Sequence, residues 1–290
     1  MHSDTLTVSP KTFLQNDLQI SLSGLLSAGY LLQCFAIFTP PKQREPFRYA
    51  RYCIDCYYAA LRENADRIRP AYGYRSLLQN RKDGVISALL TVENARAAQG
   101  EISNLAYLFS CGVRMFSLGW NGQNELCGER ITPLGAEFLR YAETLPLMVD
   151  CSHLSDGAFY DLVAVYKKPF CASHSNARAV TPVLRNLTDD QIKIIADRGG
   201  VIGLNFYSLF TGGGDTVENL LTHARHIVRT GGEDVLALGS DYDGIPAPKG
   251  LETCAKLPVL YEATVKEFGA SRAEKIFSRN FLRFFQSVCP

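Results

Sequence analysis

The sequence predicts an α/β chain of the (β/α)8 TIM-barrel class, folded as a single domain over residues 1–290. Three observations carry this expectation. Eight short apolar runs rich in Val, Ile, Leu and Phe recur along the chain, helical stretches separate most of them, and ligand-type side chains stand where several runs end. Runs that stay apolar without alternation suit strands buried on both faces, as in a parallel sheet covered by helices. A barrel enzyme displays its chemistry at the C-terminal rim of such strands.

Taken in order, strands are expected at 2–6, 30–38, 85–92, 113–118, 147–150, 170–173, 201–206 and 235–239. The uncharged stretch 19–41 is long enough for a bilayer span. Ser21, Ser23, Gly24, Ser27, Gly29 and Gln33 dilute it, so a turn leading into the second strand explains it better. Helices are expected at 46–64, with Pro46 in the first turn, at 102–109, and at 133–144, with Thr132 as cap and Pro133 at the first position. Further helices follow at 155–166, at 192–198 behind a Thr188/Gln191 capping box, and at 216–229, 261–268 and 272–277. Gly199-Gly200 supplies a helix stop. An open doubly wound sheet is the rival architecture, but no GxGxxG follows a strand. Gly212-Gly213-Gly214 reads as a loop tip ahead of an anion cradle.

Bulk properties narrow the function classes. No Ser/Gly/Pro-rich linker divides the 290 residues, and the apolar share of 47% is ample for one core. A net charge of +1 without a basic tract argues against a nucleic-acid partner. Nine irregularly spaced cysteines read as reduced thiols of a cytoplasmic protein, and Cys53/Cys56 is a lone CxxC without a second pair. The opening MHSDTL lacks the pattern of a signal peptide, so no membrane association is expected.

Five ligand-type positions form the candidate site. His2 and Asp4 are two apart on an extended segment and so share a face. Glu93 closes LLTVE and could bridge two ions through its two oxygens. His153 and His174 follow the fifth and sixth runs. Nitrogen and oxygen ligands without thiolate suit two zinc ions, with manganese or cobalt as substitutes. Such a pair can share a water, acidify it and polarise a carbonyl. Any one of these residues alone reads as a satisfied buried histidine or a solvated loop carboxylate; their joint placement at strand ends points to a site. His223 and His226, three apart on the 216–229 helix, read instead as packing or surface residues.

The stretches HSDTL, LLTVEN, GVRMFSLGWN, LMVDCSHLSD, ASHSNARAV, LRNLTDDQI, GGVIGLNF, GSDYDG and NFLRFF, taken together, resemble the membrane dipeptidase (renal dipeptidase) family, peptidase family M19. The resemblance implies a zinc-dependent dipeptidase on a metal-dependent-hydrolase barrel with a binuclear site. His2 and Asp4 would hold one zinc, Glu93 would bridge, and His153 and His174 would hold the other. It further implies that Arg185 holds the C-terminal carboxylate of the dipeptide substrate, and that Asp241, which follows the eighth run, handles the proton of the bridging water, with Asp243 the runner-up for that role or else a brace for the loop. A D-configured C-terminal residue and a homodimer are family expectations too. Trp120 stands where relatives place a histidine near the substrate carbonyl, and its indole N–H is only a neutral donor. Only Met1 precedes His2, so the His2/Asp4 ion is expected to be the weaker one; two equally tight sites in a zinc titration would refute this. The alternatives are another binuclear amidohydrolase acting on a cyclic amide, lactone or ester, which needs no carboxylate anchor such as Arg185, and a non-catalytic barrel.

Overall fold

A computed structural model describes residues 13–214 and 216–290. The strand expected at 2–6, with His2 and Asp4, lies outside the described residues. The described chain resolves into two compact units. One is built mainly of Leu31–Lys168 with Phe285–Pro290, the other of Gln15–Tyr30 and Pro169–Phe284.

In the first unit, β1 (Leu32–Phe38), β2 (Ile68–Pro70), β3 (Ile86–Glu93), β4 (Val113–Ser117) and β5 (Met148–Asp150) form one parallel sheet. All eight residues of β3 are buried, which is why its sequence does not alternate. β1 runs along one edge of β3, from Leu32 opposite Ser87 to Phe38 opposite Glu93. β2 and β4 therefore share the other edge, at Ile86–Ala88 and Leu90–Val92, and the register shifts at Leu90/Thr91 where β4 takes over. Helices Pro46–Glu63, Tyr74–Lys82, Ile102–Ser110, Pro133–Glu143 and Asp156–Val165 belong to this unit. Two of them begin where capping chemistry predicts: Thr132 Oγ1 accepts from the Gly135 N–H at 3.0 Å, and Ser155 Oγ from the Ala158 N–H at 3.1 Å.

Three elements depart from the sequence expectation here and upstream. β2 and the Tyr74–Lys82 helix are additions. β2 is three residues containing Arg69 and Pro70, too short and too polar to register as an apolar run, and only Leu77 and Asn80 of the helix are buried. In the 19–41 stretch the expected turn is a six-residue helix, Leu22–Ser27, capped by Ser21.

The second unit holds β6 (Ile202–Leu204) paired in parallel with β7 (Leu236–Leu238), and helices Asp189–Asp197, Thr216–Gly231, Leu257–Phe268 and Ala270–Glu274, the last running into a π turn, Lys275–Arg279. The strand expected at 170–173 is reduced to isolated bridge residues at Cys171 and Ala172, the latter pairing in parallel with Ile202. Close approach explains why glycine recurs around it. A Cβ on Gly203 would lie 2.1 Å from the Ser173 carbonyl oxygen, and one on Gly239 only 1.9 Å from the same atom. Glycine lets the three backbones press together and seats the Ser173–His174 segment beside β6 and β7. The Thr188/Gln191 capping box forms as expected, with both reciprocal hydrogen bonds present. Among the described residues, no helix is long and apolar enough to cross a membrane.

Candidate active site

Glu93 is the last residue of the buried β3 and is itself buried. Four hydrogen bonds through Asn94 and Asn124 clamp the chain just beyond it. Asn94 takes a left-handed φ of 73°, its N–H donates to Ser117 Oγ at 3.0 Å, and its Nδ2 donates to the Thr39 carbonyl at 3.0 Å. Asn124 Nδ2 donates to Asn94 Oδ1 at 3.0 Å and to the Leu118 carbonyl at 2.7 Å. The ends of β1, β3 and β4 are thereby tied together around the Glu93 carboxylate. His153, three residues past β5, also sits at a left-handed φ, 69°. A non-glycine residue in that region is uncommon and gathers at functional sites.

The structure brings Glu93 and His153 together, with Oε1 and Nε2 3.0 Å apart. The other ring nitrogen, Nδ1, lies 2.8 Å from Asn121 Oδ1. An amide oxygen only accepts, so Nδ1 carries the hydrogen and Nε2 of the neutral ring presents a lone pair to the carboxylate. Two acceptors at that distance call for a cation between them, a proton or a metal ion. The donor set therefore fits a divalent metal of the zinc class, with Asn121 as the outer partner that fixes the imidazole tautomer. Trp120 packs its ring against His153 at 5.8 Å between centroids and against Phe38 at 5.0 Å, edge-on. It shapes the apolar wall beside the His153/Glu93 pair.

In the second unit, buried His174 keeps its Nδ1 2.7 Å from Ser173 Oγ. Arg185 is drawn to the same segment: Nη1 donates to Ser175 Oγ at 2.6 Å, Nη2 donates to the His174 carbonyl at 2.8 Å, and the guanidinium lies over the Phe210 ring at 5.7 Å. A reciprocal amide pair ties this segment to the end of β6, with Asn205 N–H donating to Asn176 Oδ1 and Asn176 Nδ2 to the Asn205 carbonyl. Asn205 Nδ2 in turn donates to Asp241 Oδ2 at 3.1 Å. Asp241, at a left-handed φ of 63°, is thus held in a fixed orientation. Asp243 does brace its loop: it accepts from the Gln19 N–H at 2.8 Å, while its own N–H donates to Gln19 Oε1 at 2.6 Å.

His223 is a packing residue with a definite load. It is wholly buried, and its Nδ1 accepts the Ala177 N–H at 3.1 Å, at the start of the loop that carries Arg185. Burial first, and the neighbouring His226 charge to a lesser extent, push its pKa down to about 4 against a partial counter-effect from Thr211. His226 pairs with Asp189 at 2.6 Å. Gly212, Gly213 and Gly214 all take positive φ in a loop after the short helix Ser208–Thr211.

Sequence reasoning missed the asparagines that do the positioning: Asn94 and Asn121 in the first unit, Asn176 and Asn205 in the second. The available signal was an Asn within a few residues of a strand end or of a ligand-type residue, as at Glu93-Asn94 and Leu204-Asn205, since Asn tolerates left-handed backbone and bonds neighbouring peptides.

Comparison with known proteins bears on the whole chain. The family model for membrane dipeptidase (peptidase family M19) matches residues 4–289. An uncharacterised protein from the pqqA 5′ region of Klebsiella pneumoniae is 33% identical over 246 residues, covering 78% of this chain and 90% of that one. A solved metallopeptidase described as dipeptidase AC of family M19 superposes with a TM-score of 0.88 at 25% identity, covering 99% of this chain and 94% of its own. A Rhodobacter sphaeroides metallopeptidase, solved with a phosphinate mimic of L-Ala-D-Ala, also gives 0.88 at 24% identity, with the same coverage of both chains. The fold class is the (β/α)8 metallo-hydrolase barrel of these neighbours, as expected from the alternation of apolar runs and helices.

Proposed function

Because this chain belongs to the membrane dipeptidase family, peptidase family M19, and is a metallo-dipeptidase by that membership, we propose that residues 1–290 act as one catalytic domain, cytoplasmic and homodimeric, that hydrolyses dipeptides with two zinc ions. His2, Asp4, Glu93, His153 and His174 would hold the metals. The one observation that carries the reading is the face-to-face meeting of Glu93 Oε1 and His153 Nε2 at 3.0 Å, with Nδ1–H already committed to Asn121. His174 adds a further imidazole nitrogen of the same donor class.

Bound zinc would supply Lewis acidity, lowering the pKa of water and polarising the peptide carbonyl. The chain's own groups do the rest. The Arg185 guanidinium, oriented by Ser175, the His174 carbonyl and Phe210, would pair with the substrate's terminal carboxylate, a role its planar fork suits. That anchor favours two-residue substrates over longer ones. Asp241, steadied through Oδ2 by Asn205, accepts the proton of the attacking water and passes it to the leaving amine. Trp120 lines the substrate space in place of a polar donor. A D-configured C-terminal residue is included in the expected range, supported by the L-Ala-D-Ala mimic bound by the Rhodobacter sphaeroides relative.

The test is metal content of the purified protein alongside release of free amino acids from a mixed L,L and L,D dipeptide library, with and without chelator. Chelator-sensitive release supports the reading. Hydrolysis of lactones or cyclic amides without any dipeptide would move the chain to the wider amidohydrolase class, and absence of both metal and turnover would leave only a binding protein.

A further inference from the structure

A recess of about 610 Å³ opens in the first unit, lined among others by Asn94, Arg96, Trp120, Asn121, Gln123 and Glu125. That volume suits a small-molecule group. It adjoins the Glu93/His153 pair through three residues at once: Asn94 follows Glu93 directly, Asn121 accepts from His153 Nδ1, and Trp120 stacks beside the His153 ring.

The lining is selective in what it can still offer. Both side-chain ends of Asn94 and of Asn124 are consumed in the clamp around Glu93. Asn121 has committed its oxygen to His153, so its NH2 is the group it can present. Arg96, half-buried on the 3-10 turn Ala95–Ala98, has no carboxylate partner among the described residues. Its state contrasts with Arg225, which pairs with Glu218 and Glu267, and Arg272, which pairs with Glu233. The acidic lining residue, Glu125, is exposed and rests its stem against Gly100. Arg96 and the Asn121 NH2 remain as donors, the first a guanidinium fork suited to a carboxylate, beside the Gln123 amide, which can donate or accept.

Resting on the dipeptidase reading, we propose that this recess receives a substrate side chain and that Arg96 selects for an acidic one, aspartyl or glutamyl. Arg96 is then a specificity residue, and Glu125 weakens the preference from the rim.

The experiment compares kcat/KM on Asp-Ala, Glu-Ala, Ala-Asp, Ala-Glu, Ala-Ala, Lys-Ala and Ala-Lys for the parent, Arg96→Gln, Arg96→Glu and Glu125→Gln. Calorimetric binding of the same peptides is read in parallel, and the two peptide orders identify which residue enters the recess. In the parent, one acidic series exceeds Ala-Ala by roughly 10- to 100-fold, the worth of a charge-assisted hydrogen bond. Arg96→Gln removes that advantage, Arg96→Glu moves it to the lysyl peptides, and Glu125→Gln enlarges it. Equal losses on acidic and neutral peptides in Arg96→Gln, or no acidic advantage in the parent by turnover or by binding, overturn the assignment while dipeptide hydrolysis stands. A parent that binds acidic peptides selectively but cleaves none of the panel sustains the recess and overturns the dipeptidase reading instead.

Discussion

Acid should destabilise the second unit through one histidine. His223 is fully buried, accepts the Ala177 N–H on Nδ1, and points Nε2 at Thr181 Oγ1 3.2 Å away. The ring is therefore folded in its neutral form, and its pKa lies at about 4 against an ordinary 6.5. A protonated ring would lose the Ala177 bond and place a charge in an apolar interior. The direction follows from linkage. Below pH 6.5 the unfolded chain binds the proton first, so the stability contribution is complete above 6.5 and is lost as pH falls toward 4. At about 1.4 kcal/mol per pH unit, the full loss is about 3 kcal/mol, of which about 2 kcal/mol is gone by pH 5. His223→Gln removes the titration, whatever it costs at neutral pH. Urea unfolding followed by far-UV circular dichroism at pH 7.5, 6, 5 and 4.5 should show the parent losing about 2 kcal/mol more than the variant between pH 7.5 and 5. If the two curves fall in parallel, His223 is not the acid-labile group and the account of its burial is wrong.

Four further outcomes follow from the geometry. Asp241→Asn should retain metal while turnover drops about 10²–10⁴-fold, the share of general acid–base catalysis; unchanged turnover reassigns the proton transfer. Arg185→Ala should raise KM for dipeptides with free C-termini, and equal parent activity on C-terminally blocked peptides would rule out the anchor. Asn121→Ala removes the acceptor that sets the His153 tautomer, so zinc affinity by competition titration should fall about 10–100-fold, and an unaltered affinity would show that the 2.8 Å contact carries no weight. Gly239→Ala forces a Cβ to within 1.9 Å of the Ser173 oxygen, so its thermal unfolding midpoint should drop with a loss of about 1–3 kcal/mol or more; a fully stable variant would contradict the packing of β7 on that segment.

The candidate site was legible in part, and the reason is visible residue by residue. Glu93, His153, His174 and Asp241 were identified because each ends or follows an apolar run, and Arg185 because its segment matches a family pattern. Their partners were not. Asn121 and His153 are 32 residues apart, Asn176 and Asn205 are 29 apart, and Ala177 and His223 are 46 apart. Nothing local in an asparagine or a helix-borne histidine says which distant peptide it will meet.

Helix starts at Thr132, Ser155 and Thr188, and the continuous burial of β3, were written in the chain because capping and apolar periodicity act within a few residues. The short β2, the reduction of 170–173 to isolated bridge residues, and the roles of Gly203 and Gly239 arose only on folding. They depend on how closely separate backbones approach one another. That spacing is set by packing between elements distant in the chain, which no stretch of neighbouring residues encodes.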